Sequence, residues 1–150
     1  MTDNLKMFCL TLEPNHQSFI KEMGYVPVGL GKKIFPEDCF SDKKGNNISQ
    51  KNKYYGEYTF HYWLWKNHLD QINQDWIGFC QYRKFWALNF TPNNELNLSN
   101  LNNKVLKKIP DNLNQFEVIL GDPFFVNKRK IMKFLKNGFS LVVSNPKVLF

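Results

Sequence analysis

Residues 47–86 read NISQKNKYYGEYTFHYWLWKNHLDQINQDWIGFCQYRKFW, and the reading of this stretch decides how the rest of the chain is parsed. It opens on a polar loop from Asn47, rich in groups that donate hydrogen bonds. A helix is expected over about Lys53 to Leu69, because Tyr58, Tyr62, Trp65 and Leu69 recur at i, i+4, i+7 and i+11 and so share one face. Asn52 or Ser49 is placed to cap its start by accepting from a free backbone N–H. Asp75 to Cys80 is an apolar run of strand length, and it leads directly into Gln81, Tyr82, Arg83 and Lys84. Ligands of open α/β sheets bind at the carboxyl ends of strands, which makes Gln81 to Lys84 the candidate binding edge. Strand alternation sends the adjacent cations Arg83 and Lys84 to opposite faces, one toward a ligand and the other toward solvent.

Working outward toward the N-terminus, Lys6 to Leu12 (KMFCLTL) reads as a buried first strand ended by Glu13-Pro14. His16 to Met23 suits a short helix, Tyr25 to Val28 a second strand, and Gly29 to Gly45 a loop. In the other direction, Asn89 to Asn103 is Asn-rich and without periodicity, so a surface loop is expected. Phe116 to Leu120 (FEVIL) reads as a strand closed by Gly121-Asp122-Pro123, Lys128 to Asn137 as a basic helix, and Phe139 to Val143 as a further strand. This alternation predicts an α/β fold, a mixed sheet flanked by helices. The apolar ending Asn145 to Phe150 reads as a truncation or as a last segment docked on the core.

A chain of 150 residues suits one domain. Its 14 Phe, 6 Tyr and 4 Trp should mostly be core, since burying such a ring contributes roughly 2–3 kcal/mol. A net charge of +7, from 20 Lys and Arg against 13 Asp and Glu, favours anionic partners such as nucleotides, nucleic acid or lipid headgroups. The abundance of Asn, Lys, Ile and Phe is equally well explained by an AT-rich genome. Cys9, Cys39 and Cys80 have no CxxC spacing, so neither a disulfide framework nor a zinc site follows. Cys9 and Cys80 lie in apolar runs and read as small buried hydrophobes in a reducing compartment. The start has no signal-peptide pattern, and no window approaches the ~20 apolar residues of a membrane span. A cytoplasmic location is expected, with the inner face of the membrane as a refinement of it.

The block from Asn47 to Trp86 resembles a bacterial family of capsular and exopolysaccharide-biosynthesis proteins, long catalogued as a domain of unknown function and regarded as glycosyltransferases. That family carries a string like N-I-S-x-K-N-x-Y-Y-x-E-x-T-x-x-Y-W-x-W-K-N, followed by D-Y-I-G-L-x-H-Y-R-R-Y-F. Asn47, Ile48, Ser49, Lys51, Asn52, Tyr54, Tyr55, Glu57, Thr59, Tyr62, Trp63, Trp65, Lys66 and Asn67 fit its first part. Asp75, Ile77, Gly78, Tyr82 and Arg83 fit its second. Two positions depart: Gln81 stands where the pattern has His, and Lys84 where it has a second Arg.

The resemblance implies a Rossmann-like sheet of the GT-A type. It also implies a nucleotide-diphospho-sugar donor, a surface-polysaccharide or lipid-linked acceptor, and a chain that is the donor-binding part of a longer family domain. Asn47, Ser49, Lys51, Asn52, Tyr55, Tyr82, Arg83 and Lys84 become the expected donor-binding residues, and Glu57, Gln81 and Arg83 the expected catalytic ones. Many GT-A enzymes hold a divalent metal with Asp-x-Asp at a strand end, but this sequence has no Asp-x-Asp, and no metal ligand is expected. Arg83, helped by Lys84 or Lys51, is then the group that neutralises the departing diphosphate, since guanidinium pairs bidentately with phosphate and keeps its proton.

Each residue also has a plainer reading. Glu57 suits a first-turn helix carboxylate favoured by the macrodipole. Trp63 and Trp65 at helical spacing suit a core, His61 a partly buried surface site, and Asp122 before Pro123 a turn. Gly29-Leu30-Gly31 lacks the third glycine of a dinucleotide fingerprint and is set aside. The run Lys128-Arg129-Lys130 with Lys133 and Lys136 suits a solvated face, or attraction to a membrane surface or lipid-linked acceptor. Beside the glycosyltransferase stand two other functions: a non-catalytic nucleotide-binding relative or fragment, and a basic nucleic-acid-binding module. The last is disfavoured because the aromatics sit at helical spacing and no nucleic-acid motif is present.

Overall fold

The apolar run at the start of the chain forms β1 (Leu5–Thr11), with six of its seven residues buried. A strand covered on both faces is the mark of a parallel sheet with helices on either side. In the computed structural model, which describes residues 4–87, 89 and 98–122, β1 is the centre of that sheet. β2 (Val26–Gly29) pairs with one edge of β1 and β4 (Trp76–Gln81) with the other, both parallel, and β3 (Phe40–Ser41) lies outside β2. The order β3-β2-β1-β4 makes an α/β fold. A mixed sheet was expected, but all four described strands run parallel.

Strand alternation sorts the side chains of β1 to two faces. Phe8 and Leu10 join Val28, Leu30, Phe60 and Leu64 in one buried cluster, with Trp63, Ile77 and Phe79 packed against it. On the other face Cys9 lies in register with Cys80, both buried as expected, and the Cys9 sulfur together with burial pushes the Cys80 thiol well up. The first helix is where the spacing put it: a 3-10 turn at Pro14–His16 runs into α1 (Gln17–Glu22), whose Ile20 is fully buried. The Tyr25 hydroxyl donates to the Leu106 carbonyl at 2.7 Å, tying β2 to the later part of the chain.

The single helix expected over Lys53 to Leu69 is two helices, α2 (Asn52–Tyr55) and α3 (Tyr58–Asn67). The break is Gly56, at φ 55°, a left-handed conformation that costs glycine nothing and other residues about 1–2 kcal/mol. Asn52 does not cap the start. Its Nδ2 donates to the Gly56 carbonyl at 2.8 Å and to Thr59 Oγ1 at 3.1 Å, which closes α2 and fixes the turn into α3. The expected aromatic face is also the outward one: Tyr58 and Trp65 are 66% and 60% exposed, while α3 buries Thr59, Phe60 and Leu64. Tyr and Trp carry a polar group that needs water or a partner, and Phe and Leu do not, so the sheet takes the latter.

Three further expectations change. The loop Gly29 to Gly45 contains β3. The Asn-rich stretch contains α4 (Leu98–Lys104), followed by the buried Val105 and Leu106, so sparse apolar residues suffice where a core is available. Phe116 to Leu120 is not a strand: no ladder forms there, and Phe116, Val118 and Leu120 are 50%, 69% and 82% exposed. An apolar run becomes a strand only where a neighbour satisfies its backbone groups. The chain divides into two units, Met1–Glu117 and Val118–Phe150. The fold above is that of the first; of the second, residues 118–122 are described and carry no regular structure. The helix expected over Lys128 to Asn137, the strand over Phe139 to Val143, and the ending from Asn145 lie outside the described residues.

Candidate functional site

From β1 the chain passes through α1 to β2 on one side, whereas β4 joins β1 on the other. β1 and β4 are parallel neighbours and so end at the same edge of the sheet, where ligands of open α/β sheets bind. A cleft of about 160 Å³ is found there, lined by Leu10, Thr11 and Leu12 at the end of β1, Leu30 after β2, Asn52 of α2 with Gly56 and Glu57 of the turn into α3, and Gln81, Tyr82 and Arg83 at the end of β4. A larger depression of about 600 Å³ runs along α4 and the residues after it, and its described lining consists of amides, lysines and aliphatic groups.

Of the residues singled out from sequence, the cleft brings together Asn52, Glu57, Gln81, Tyr82 and Arg83. Gln81 Nε2 donates to Glu57 Oε2 at 2.5 Å, and among the described residues no donor reaches Glu57 Oε1. The strand ends at Gln81, and Lys84 N–H donates back to the Gln81 carbonyl at 2.8 Å. Alternation therefore does not govern Arg83 and Lys84; a tight turn does, and it keeps Arg83 at the cleft and Lys84 off it.

Arg83 belongs to a layered arrangement that spans the two strand ends. Its guanidinium lies 4.9 Å from the Tyr82 ring, and Tyr82 stacks on His16 at 4.2 Å with 23° between planes. His16 Nδ1 is 2.8 Å from Thr11 Oγ1, which also accepts from the Glu13 N–H at 3.0 Å. Thr11 and His16 were not singled out from sequence. The available signal was position: Thr11 ends the apolar run of β1, where strand-end polar groups meet ligands, and His16 sits one turn further on.

Asn47, Ser49, Lys51, Tyr55 and Lys84 do not line the cleft. Asn47 Oδ1 accepts from both the N–H and the hydroxyl of Ser49, and Asn47 Nδ2 donates to the Lys43 and Gly45 carbonyls, so this pair builds a loop. That loop is clamped to α3. Asn67 accepts from Asn46 N–H and donates to the Asn46 carbonyl, while Trp63 Nε1 donates to the Lys44 carbonyl at 2.6 Å. Much of the Asn47 to Asn67 string thus holds itself in place. Lys51 and Tyr55 are exposed.

Just after β3, Asp42 is fully buried, and among the described residues neither of its carboxylate oxygens has a hydrogen-bond partner. Thr59 lies beside it, but its single hydroxyl proton has the Gly56 carbonyl as an acceptor at 3.0 Å. Burial pushes the Asp42 carboxyl above its ordinary range, with Thr59 pulling weakly the other way. His61 is shifted down by burial, against a smaller upward pull from Glu57. Its ring packs edge-on to Phe79 at 4.2 Å, the partly buried role expected of it. Among the described residues no three His, Cys, Asp or Glu side chains come close enough to hold a metal ion, and no helix is long and apolar enough to cross a membrane.

No curated protein and no solved structure matches the chain. One family model does, over residues 10–140, a span that contains both halves of the cleft. The chain belongs to the family described as Domain of unknown function (DUF4422).

Proposed function

We propose that the cleft binds the diphosphate of a nucleotide-sugar and that the protein is a glycosyltransferase of GT-A-like fold, passing a hexosyl group to a surface-polysaccharide or lipid-linked acceptor. The observation that carries this reading is Arg83, a cation held by ring stacking at a strand-end cleft that is also lined by a carboxylate, Glu57. A volume of about 160 Å³ suits the diphosphate, with nucleoside and sugar extending over the open rim, since complete small-molecule sites run to roughly 300–1,000 Å³.

In this reading Arg83 pairs with the phosphate oxygens and stabilises the charge that develops as the bond from anomeric carbon to phosphate oxygen breaks. The nucleoside diphosphate leaves with that electron pair. The acceptor hydroxyl oxygen forms the new bond to the anomeric carbon, and Glu57 takes its proton. Gln81 holds Glu57 from behind. Thermal-shift and calorimetric titrations with UDP, GDP and CMP sugars test binding, and product analysis with a lipid-linked acceptor tests transfer. Expected is a saturable shift with one nucleotide class that is weakened in Arg83→Ala. Equal binding of that nucleotide by Arg83→Ala would sink the reading.

A further inference from the structure

The outward side of α2 and α3 carries rings with no protein covering them. Tyr54, Tyr55, Tyr58 and Trp65 are 79%, 52%, 66% and 60% exposed, and Tyr62 meets Trp65 edge-to-face at 6.0 Å. A run of large exposed rings on one segment marks an interaction surface more often than chance exposure does.

Its charge says which kind. Across α2 and α3 the cations are Lys53 and Lys66, both exposed, and the one acid between them, Glu57, is bonded to Gln81 at the cleft. The Lys66 ammonium lies 3.4 Å from the Trp65 ring centre and that of Lys53 5.6 Å from Tyr54, so aliphatic stems run along the rings with the charge at the edge. A second copy of this chain, at +7, would bring like charge against this face. A bilayer interface with anionic headgroups matches it instead: Tyr and Trp sit at headgroup level, and lysines meet the lipid phosphates.

We propose that the Tyr54–Trp65 face of α2–α3 docks on an anionic lipid surface. Asn52, Gly56 and Glu57 line the cleft from the same segment, so docking brings the cleft to the membrane surface. The inference stands independently of which nucleotide the cleft holds.

The test is co-sedimentation of the full chain with vesicles of phosphatidylcholine alone, or with a third of the lipid as phosphatidylglycerol. Binding to the anionic vesicles is expected, with at least tenfold less to the neutral ones and a steep fall as salt rises. Tyr54→Ser/Tyr58→Ser/Trp65→Ser and Lys53→Gln/Lys66→Gln should each lower partitioning at least tenfold, with circular dichroism and nucleotide-induced thermal shift unchanged. A blue shift of tryptophan emission on vesicle binding should be largely lost in Trp65→Phe. Wild-type partitioning by both multiple variants would overturn the proposal. So would self-association abolished by Trp65→Ser, or binding of a soluble oligosaccharide without any binding of vesicles. An Arg83→Ala chain that loses nucleotide but keeps vesicles shows the cleft and the docking face failing or holding separately.

Discussion

Gln81 Nε2 reaches across the cleft edge to Glu57 Oε2 at 2.5 Å, joining the end of β4 to the start of α3. In the proposed reaction the other carboxylate oxygen takes the acceptor proton. Glu57→Gln keeps an acceptor for Gln81 but cannot take a proton. Its turnover should fall about 10²–10⁴-fold while the nucleotide-induced thermal shift stays near wild type. Gln81→His retains an N–H donor and should keep most activity, whereas Gln81→Ala should lose about tenfold or more.

Arg83 separates charge from shape. Arg83→Lys retains the charge but loses the planar fork and the stacking on Tyr82, so nucleotide affinity should drop less than in Arg83→Ala but clearly below wild type. Calorimetric titration at two salt concentrations measures both. Loss of the bidentate pair corresponds to about 1.5–3 kcal/mol, roughly ten- to a hundredfold in Kd.

Asp42 predicts an unusual pH dependence of stability. Its folded pKa is raised above the ordinary 3.8 by burial, so the contribution it makes is fully present below 3.8 and is lost as pH rises through the folded value. At neutral pH an unpartnered buried carboxylate costs about 1–3 kcal/mol. Asp42→Asn should therefore raise Tm at pH 7, with the difference from wild type closing as the pH is lowered toward 4. Melting curves across that range check it; a lower Tm at pH 7 contradicts the account.

The two faces of α3 make opposite predictions. Phe60 is fully buried against Phe8 and Phe79, and Phe60→Ala should destabilise by about 3–5 kcal/mol. Trp65→Ala removes a larger ring from solvent and should change stability by less than about 0.5 kcal/mol. Urea unfolding of both variants decides the assignment.

β1, β2 and β4 were readable as short apolar or β-branched runs, whereas the two-residue β3 left no pattern and the apolar run Phe116 to Leu120 found no sheet to join. Gln81 to Lys84 was placed at a strand end from strand polarity, and Gln81, Tyr82 and Arg83 of that run line the cleft while Lys84 does not. What escaped was tertiary in origin. The spacing of Tyr58, Tyr62, Trp65 and Leu69 marks a face without saying whether it points in or out, and Phe60 and Leu64 won the interior because they carry no polar atoms. Asn47 and Ser49 looked like ligand groups because unpaired donors in a loop look free in sequence, whereas each is satisfied by the other. His16 reaches the site through its stacking on Tyr82, some 70 residues away, and no local pattern reports that contact.

The central place of β1 also has a temporal side. Its partner β4 lies about 70 residues downstream in register, Leu5 opposite Trp76. At ribosomal speeds of roughly 5–20 residues per second, some 4–14 s separate the synthesis of the two strands. During that interval one edge of a nearly all-apolar strand stands open, paired on its other side at most with β2. Leu5–Thr11 thus offers an open apolar strand edge to wrong partners for as long as β1 waits for β4.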